Sequence, residues 1–377
     1  MVNIDFIKKE SRSNALIIVN KNRKIKNEQP LTLKYYDDAV ILPFRDKSQQ
    51  LGGVVTSEGV FVDDSGLYEE RSVGIYEYDS NDVTCDSRTV MYIGMFFPQW
   101  GHALTDDIKK LWWNNTRSIQ FDAIVYTAEW DGKVPSHVKT ILKKLGIDID
   151  KCERITRVTR FAKVIDPDNS FVHHDGEKYY TEEYWGTIQR IKNNVCCHSL
   201  FPPKLYFTRS RFKQGWLRDN GEESIEKVFK KLGYAIISPE KLSVDEQIAA
   251  LMGCTHFATT EGSIAHGSVF CNKEAKVTLI RKVNYVNPWQ LPINNMIGFE
   301  VTYVDAHNSV CSNKIHPMIG PFYMCVTPEL ERYIGHRIFH LPLWLRPSWY
   351  RYRYQLQEKW WYKKGKRVKE KISSWYQ

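Results

Sequence analysis

Residues Lys204–Arg281 read KLYFTRSRFKQGWLRDNGEESIEKVFKKLGYAIISPEKLSVDEQIAALMGCTHFATTEGSIAHGSVFCNKEAKVTLIR, and this stretch decides the fold. Lys204–Thr208 is typical of a strand, and Ser224–Leu232 has its apolar residues on one face of a helix. The alternation continues with a strand at Tyr234–Ile237, a helix opened by a Ser243–Glu246 capping box, a strand at His256–Thr260, a short helix at Ser263–Phe270 and a strand at Lys276–Ile280. Strands that alternate with helices over this length predict a parallel, doubly wound α/β sheet.

The first half of the chain shows the same kinds of element in a less regular order. Its predicted strands are Ala15–Val19, Ala39–Leu42, Gly59–Val62 and Ala123–Tyr126, and its predicted helices are His102–Trp113, Ser136–Leu145 and Thr181–Val195. Pro202 and Pro203 interrupt regular structure. We therefore predict an N-terminal domain at 1–200, a second domain at 201–335 and a basic aromatic helical tail at 336–377.

Polar residues follow two strands of the predicted parallel sheet. Arg209 and Arg211 come directly after the first strand, and Glu261-Gly262-Ser263 joins a later strand to a helix. Ligands bind beyond the carboxyl ends of such strands, where guanidinium groups and free helix amides favour phosphate. These residues predict a diphosphate site. A tight turn at Gly262 with surface arginines is the alternative.

Two further residues at this edge allow two interpretations each. Glu261 either accepts hydrogen bonds from ribose or sugar hydroxyls or only stabilises the start of a helix. His266 either contacts the donor or is a buried structural histidine. The chain has no G-x-G-x-x-G after a strand and no P-loop, so it does not predict a dinucleotide or ATP site.

His102 and Asp106 are spaced so that they share one face of a predicted helix. In such a pair the carboxylate either orients the imidazole and raises its basicity, or is itself the general base. The alternative is a charge cluster at a helix end with no chemistry.

Lys204–Arg281 resembles the conserved block of glycosyltransferase family 61, which includes bacterial capsular-polysaccharide proteins. GHALTDDIKKLWW, at Gly101–Trp113, resembles the His-x-x-x-Asp helix of that family. Three positions depart from the family pattern: Gly221 separates Asn220 from Glu222, Glu261 stands where many eukaryotic members have His, and Gly267 replaces a common Asn.

The resemblance implies a GT-B architecture, in which two Rossmann-like domains face each other across a cleft. Residues 1–200 would then be the acceptor-side domain and residues 201–335 the nucleotide-sugar-binding domain. It implies an inverting transfer without a metal or other cofactor, from a nucleotide-sugar donor with UDP as the expected nucleotide. The acceptor would be a glycan or lipid-linked glycan in surface (capsular) polysaccharide synthesis. Asp106 is then the expected base with His102 as its partner, and Arg209 and Arg211 stabilise the leaving diphosphate. A non-catalytic sugar-nucleotide or glycan-binding protein and a UDP-sugar epimerase of the same fold are the alternative functions.

Charge and composition bear on location. The net charge is +9, and residues 351–377 contain nine Lys and Arg against two Glu. This tail, which also contains Trp360, Trp361 and Trp375, either contacts a membrane surface or packs on the body. The rest is close to neutral, so we expect no nucleic-acid partner. Without a signal peptide or an apolar run of about 20 residues, we expect a cytoplasmic protein, peripheral to the inner face of the membrane if the tail binds lipid.

Overall fold

The computed structural model describes residues 2–21, 26–45, 50–66, 74–115, 119–130, 133–174, 177–196, 200–212, 219–298, 300–307 and 322–338. The predicted tail lies outside the described residues from position 339 onward, so its two alternatives stay predictions. In the part of the chain that is described, no helix is long and apolar enough to cross a bilayer.

The helices and strands of the first half, in chain order, are β1 (Val2–Phe6), α1 (Lys9–Lys21), β2 (Leu33–Leu42), β3 (Gly53–Val55), β4 (Thr84–Phe96), α2 (Trp100–Thr105), β5 (Ala123–Ala128), α3 (Ser136–Lys144), β6 (Glu153–Arg154), β7 (Thr159–Pro167), β8 (Phe171–His174), β9 (Glu177–Tyr180) and α4 (Glu182–Asn193). Those of the second half are β10 (Lys204–Phe207), β11 (Asp219–Asn220), α5 (Glu222–Lys231), β12 (Ala235–Ile237), α6 (Val244–Gly253), β13 (His256–Thr260), β14 (Lys276–Arg281), α7 (Gln290–Ile297), β15 (Glu300–Asp305), β16 (Phe322–Tyr323) and α8 (Pro328–Ile334).

The second half forms the parallel sheet that its sequence predicts. The strand order is β1-β15-β14-β13-β10-β12, and every neighbouring pair is parallel. Its middle strand, β13, buries Phe257 and Ala258 completely, as expected for a strand covered on both faces. The predicted capping box is confirmed, since the Ser243 amide donates to Glu246 Oε2 (2.7 Å) and the Glu246 amide donates to Ser243 Oγ (3.2 Å). A parallel sheet is therefore built from this half together with β1.

The first half forms a mixed sheet with the order β3-β2-β7-β4-β5-β6. β2 is antiparallel to β3 and β7, whereas β4 is parallel to β5 and β7. An apolar core with members from both halves, Ile93 and Leu142 from the first and Leu205 and Val269 from the second, joins this sheet to the parallel one. The chain is thus a mixed α/β protein, and a GT-B arrangement of its halves stays a proposal.

Three predictions for the first half are wrong. Ala15–Val19 lies within α1, because Ser11, Ala15 and Ile18 face the core at helical spacing while Leu16 and Ile17 are 44% and 53% exposed. Gly59–Val62 is not a strand; only Phe61 bridges to Val55.

The third wrong prediction for the first half is the helix His102–Trp113. It divides into α2, a turn, and a 3₁₀ helix at Leu111–Asn115. In addition β1, at the start of the chain, belongs to the parallel sheet of the second half. The domain division near residue 200 stays a prediction.

Candidate active site

A cleft of about 990 Å³ lies at the carboxyl ends of the parallel strands. Its other wall comes from α2 and the start of α3, so both halves of the chain line it. Six of the residues predicted from the sequence line this cleft: His102, Arg209, Glu261, Gly262, Ser263 and His266. Asp106 lies behind His102, and Arg211 is exposed and outside the lining.

A buried carboxylate holds two cations at one side of the cleft. Asp219 is 3% exposed; its Oδ1 lies 3.0 Å from Lys282 Nζ, and its Oδ2 lies 3.1 Å from Arg209 Nε. Lys282 Nζ also lies 4.4 Å from the centre of the Phe322 ring. All three side chains belong to the cleft lining, so this cluster presents a net positive charge to a ligand.

The sequence-based prediction missed Lys282. It follows β14 directly, just as Arg209 follows nearby β10. The position after each parallel strand was therefore a signal that could have found it.

The turn at Gly262 lies beside this cationic cluster. Gly262 has φ +124°, a conformation that favours glycine, and a Cβ built on it would lie 3.8 Å from Lys282 Nζ. Its carbonyl accepts a hydrogen bond from the Ala265 amide (2.8 Å), which turns the chain into the 3₁₀ helix Ala265–Phe270. The cations and the turn therefore face one opening.

Glu261 is a buried carboxyl at the floor of the cleft. Its Oε1 accepts a hydrogen bond from the Asn287 amide (3.2 Å), and Arg281 Nε lies 4.0 Å from its Oε2. Burial raises the pKa of Glu261 to about 7 against the opposing charge of Arg281. At neutral pH this side chain can both donate and accept a hydrogen bond, which suits a hydroxyl-rich ligand.

His102 and Asp106 form a hydrogen-bonded pair, with Nδ1 2.8 Å from Oδ2. Asp106 is the residue that ends α2, and its Oδ2 also accepts from Thr105 Oγ1 (2.8 Å), while Lys109 Nζ lies 3.5 Å from Oδ1. Burial alone would raise the pKa of Asp106, but Lys109, His102 and Thr105 outweigh it and hold that pKa at about 2. Asp106 is thus a weak base that fixes its neighbour.

His266 lines the cleft but is held by a buried amide network. Its Nδ1 lies 3.0 Å from Gln290 Oε1, and Gln290 Nε2 in turn donates to Ser268 Oγ and Asn294 Oδ1. Burial lowers the pKa of His266 to about 4, so the ring is neutral at pH 7. With Nδ1–H donated to Gln290, the lone pair is on Nε2.

The inserted glycine of the Asn220-Gly221-Glu222 element has a structural reason. Gly221 has φ +87°, and a Cβ there would lie 2.2 Å from the Met324 carbonyl oxygen. It starts α5 so that Glu222 reaches back, accepting hydrogen bonds from the Arg209 amide at Oε2 (3.0 Å) and the Tyr206 hydroxyl at Oε1 (3.1 Å). This element therefore positions the loop that bears Arg209.

The chain has two Asp-x-Asp sequences, the pattern through which metal-dependent glycosyltransferases hold a divalent cation. Asp148 caps a 3₁₀ turn and Asp150 pairs with Lys139, whereas Asp166 pairs with buried Lys110. Asp168 pairs with Lys34. None of these aspartates lines the cleft, and the described residues contain no group of three His, Cys, Asp or Glu side chains that could hold a metal ion.

A protein-family model matches part of the chain. Residues 100–278 match the family model described as Glycosyltransferase 61, a range that begins at α2 and ends in β14. No curated protein matches the chain. The match supports glycosyltransferase family 61, and with it an enzyme that acts on a sugar donor and an acceptor.

Proposed function

We propose that this chain is an inverting glycosyltransferase that moves a sugar from a nucleoside-diphosphate sugar, expected to be UDP-linked, to an acceptor hydroxyl without a metal ion. The observation that carries the proposal is the composition of one cleft. His102 from the first half lines the same cleft as Arg209, Lys282 and the Gly262 turn from the second. The proposed base and the proposed phosphate-binding groups therefore line one cleft that a donor and an acceptor can both enter.

Arg209 and Lys282 are the groups we propose for the diphosphate. Together with Asp219 they carry one net positive charge, which a diphosphate would complement. As the bond between the anomeric carbon and the phosphate oxygen breaks, negative charge grows on that oxygen. Cations held in place beforehand stabilise this charge, and they take the part that a divalent ion has in other transferases.

His102 is the base that we propose, with Asp106 as its positioning residue. This reverses the preference that the family resemblance gives, because the Asp106 carboxyl has a pKa of about 2 and lies behind the imidazole. Donation of Nδ1–H to Asp106 leaves the lone pair on Nε2. That nitrogen takes the acceptor hydroxyl proton while the hydroxyl oxygen attacks the anomeric carbon, and the nucleoside diphosphate leaves with the bonding electrons.

The inverting course is part of the proposal, and the separate origins of base and cations support it. A single displacement needs the attacking oxygen and the leaving oxygen on opposite sides of the anomeric carbon. His102 is on α2 and the cations are at the sheet edge, and both line the cleft. A sugar between them would be attacked from one side and released on the other.

The acceptor we propose is a glycan or lipid-linked glycan of surface polysaccharide synthesis, such as a capsule. The family resemblance supports this class, and the basic aromatic sequence beyond residue 338 supports a contact with an anionic membrane face. We also propose that the two halves of the chain have a GT-B arrangement.

The test is a nucleotide-release assay on the full chain. UDP-, GDP- and dTDP-sugars are each incubated with and without a panel of glycoside acceptors, and products are separated by mass spectrometry. Nucleotide release with a glycosylated acceptor supports the proposal. Isomerised donor would instead identify an epimerase, and nucleotide binding with no turnover on any acceptor would identify a binding protein.

A further inference from the structure

The cleft has a second set of lining residues besides His102 and the phosphate-binding groups. Its first-half wall consists of Trp100, Ser136, His137 and Thr140, at α2 and the start of α3. Second-half residues of this set come from the segment between β12 and α6 and from α6 itself, which contributes Gln247. The two helices α3 and α6 pack together.

Two aromatic rings dominate the first-half wall. The rings of Trp100 and His137 lie 6.0 Å apart at 62°, and both residues are half-buried. Each therefore keeps part of its surface for a ligand. An aromatic ring binds the apolar C–H face of a flat ligand and excludes water from it.

This part of the cleft has little charge. Among the described residues that line it, Glu240 is the one with a formal charge, since burial lowers the pKa of His137. A phosphate group would find here neither a lysine nor an arginine, in contrast to the Arg209–Lys282 side. An uncharged ligand fits it better.

Hydrogen-bonding groups surround the rings. Ser136 and Thr140 bring hydroxyls to the lining. Gln247 Nε2 donates to the carbonyl oxygens of Pro239 (2.9 Å) and Leu242 (3.2 Å), which fixes the amide and leaves Oε1 as an acceptor. One apolar face with hydroxyl and amide groups at its edge matches a sugar ring.

We propose that Trp100 and His137 form the subsite for an uncharged sugar unit of the acceptor glycan. The inference rests on the proposed function and extends it to the substrate class of this part of the cleft. Trp100 and His102 are two residues apart on α2; the ring of His102 lies 6.5 Å from that of Trp289, whereas Trp100 pairs with His137. Both residues line the same cleft, so a sugar stacked on Trp100 would share that opening with the proposed base.

The experiment measures acceptor and nucleotide binding separately on the full chain. Saturation-transfer NMR measures the binding of four methyl glycosides: the β-glucoside, the β-galactoside, the β-xyloside and the N-acetyl-β-glucosaminide. Calorimetry with UDP measures the binding of the nucleotide. We expect Trp100→Ala to weaken glycoside binding about tenfold, and Trp100→Phe to retain most of it, because the stacked ring supplies that binding. UDP affinity should stay within about twofold because the phosphate-binding cations are untouched.

Trp185→Ala is the matched control, a half-buried tryptophan on α4 outside the cleft lining. It should leave both measurements unchanged. A loss of UDP affinity in Trp100→Ala with unchanged glycoside binding would overturn the subsite and make Trp100 a nucleobase platform. Absence of glycoside binding to the wild-type chain would also overturn it. Neither result depends on turnover, so a failed nucleotide-release assay alone counts against the proposed function and not against this subsite.

Discussion

Gly101 packs so closely against Ser263 that a Cβ on Gly101 would lie 2.7 Å from Oγ and 2.8 Å from Cβ of Ser263. Gly101 precedes His102 on α2, and Ser263 follows Gly262 in the turn beside the cationic cluster. This contact therefore sets the distance between the proposed base and the proposed phosphate site. Because Gly101 has no side chain, it can pack against Ser263, which is more than 160 positions away in the sequence.

Gly101→Ala should destabilise the protein and weaken transfer. The added methyl group overpacks the contact, which costs about 1–3 kcal/mol in the free energy of unfolding. Ser263→Gly in the same chain removes the clashing Oγ and Cβ and leaves Cα 3.3 Å away, so the double variant should recover most of that loss. Urea unfolding of the four proteins measures the coupling. Additive effects of the two substitutions would contradict the contact.

His102→Ala should lower the turnover number about 10²–10⁴-fold, the usual contribution of a positioned base. It should leave UDP affinity intact, because the substitution keeps Arg209, Lys282 and Asp219 in place. Added imidazole should restore part of the rate by occupying the space of the missing ring. Nucleotide release at saturating donor measures both effects.

Asp106→Asn separates the two roles of the pair. If Asp106 is a positioning residue, Asp106→Asn should lower turnover, and added imidazole should not restore it. The reason is that His102 still occupies its place but is no longer oriented by a carboxylate. The full loss in Asp106→Asn together with near-normal turnover in His102→Ala would make Asp106 the base, as the resemblance implied.

Lys282→Ala and Arg209→Ala should each raise the dissociation constant of UDP about tenfold or more, since each removes a charge-assisted contact. Arg211→Ala should change it less than about twofold, because Arg211 is exposed and outside the cleft lining. Calorimetry with UDP and with uridine separates phosphate from nucleoside contacts. A large effect of Arg211→Ala with none of Lys282→Ala would restore the sequence-based assignment.

The parallel sheet could be predicted from the sequence because its signals are local. The capping box, the helix α6 and the strand run of β13 all lie within residues 243–260. β1 escaped prediction because its pairing partner, Val301 for Val2, is almost the whole chain away. Ala15–Val19 misled because a short apolar run fits a strand and a helix equally well.

The sequence predicted the type of candidate site, but it did not indicate every residue that lines the cleft. Arg209 and the Gly262 turn follow strands, so position alone indicated them. Lys282 gains its role from Asp219, whose carboxylate also holds Arg209. Which of His102 and Asp106 is the base and which is the positioning residue depends on how deeply each is buried. The four-residue spacing does not predict burial.

Glu222 gives the protein a specific dependence of stability on pH. Burial, reinforced by the charge of Asp219, raises the pKa of Glu222 to about 8 from the ordinary 4.5. The folded protein thus binds this proton more tightly than the unfolded chain does. The stabilisation is complete below pH 4.5 and is lost as pH rises through 8, at no more than about 1.4 kcal/mol per pH unit.

Glu222→Gln should therefore remove this loss while it keeps an oxygen for the Arg209 amide. Between pH 5 and pH 8.5, about the window between the two pKa values, the free energy of unfolding of the wild type should fall relative to that of Glu222→Gln. Urea unfolding across this range measures the difference. Glu223→Gln, at the exposed neighbouring position, should run parallel to the wild type. If Glu222→Gln also runs parallel to it, then Glu222 is not protonated in the folded protein and the loop of Arg209 is held by a carboxylate.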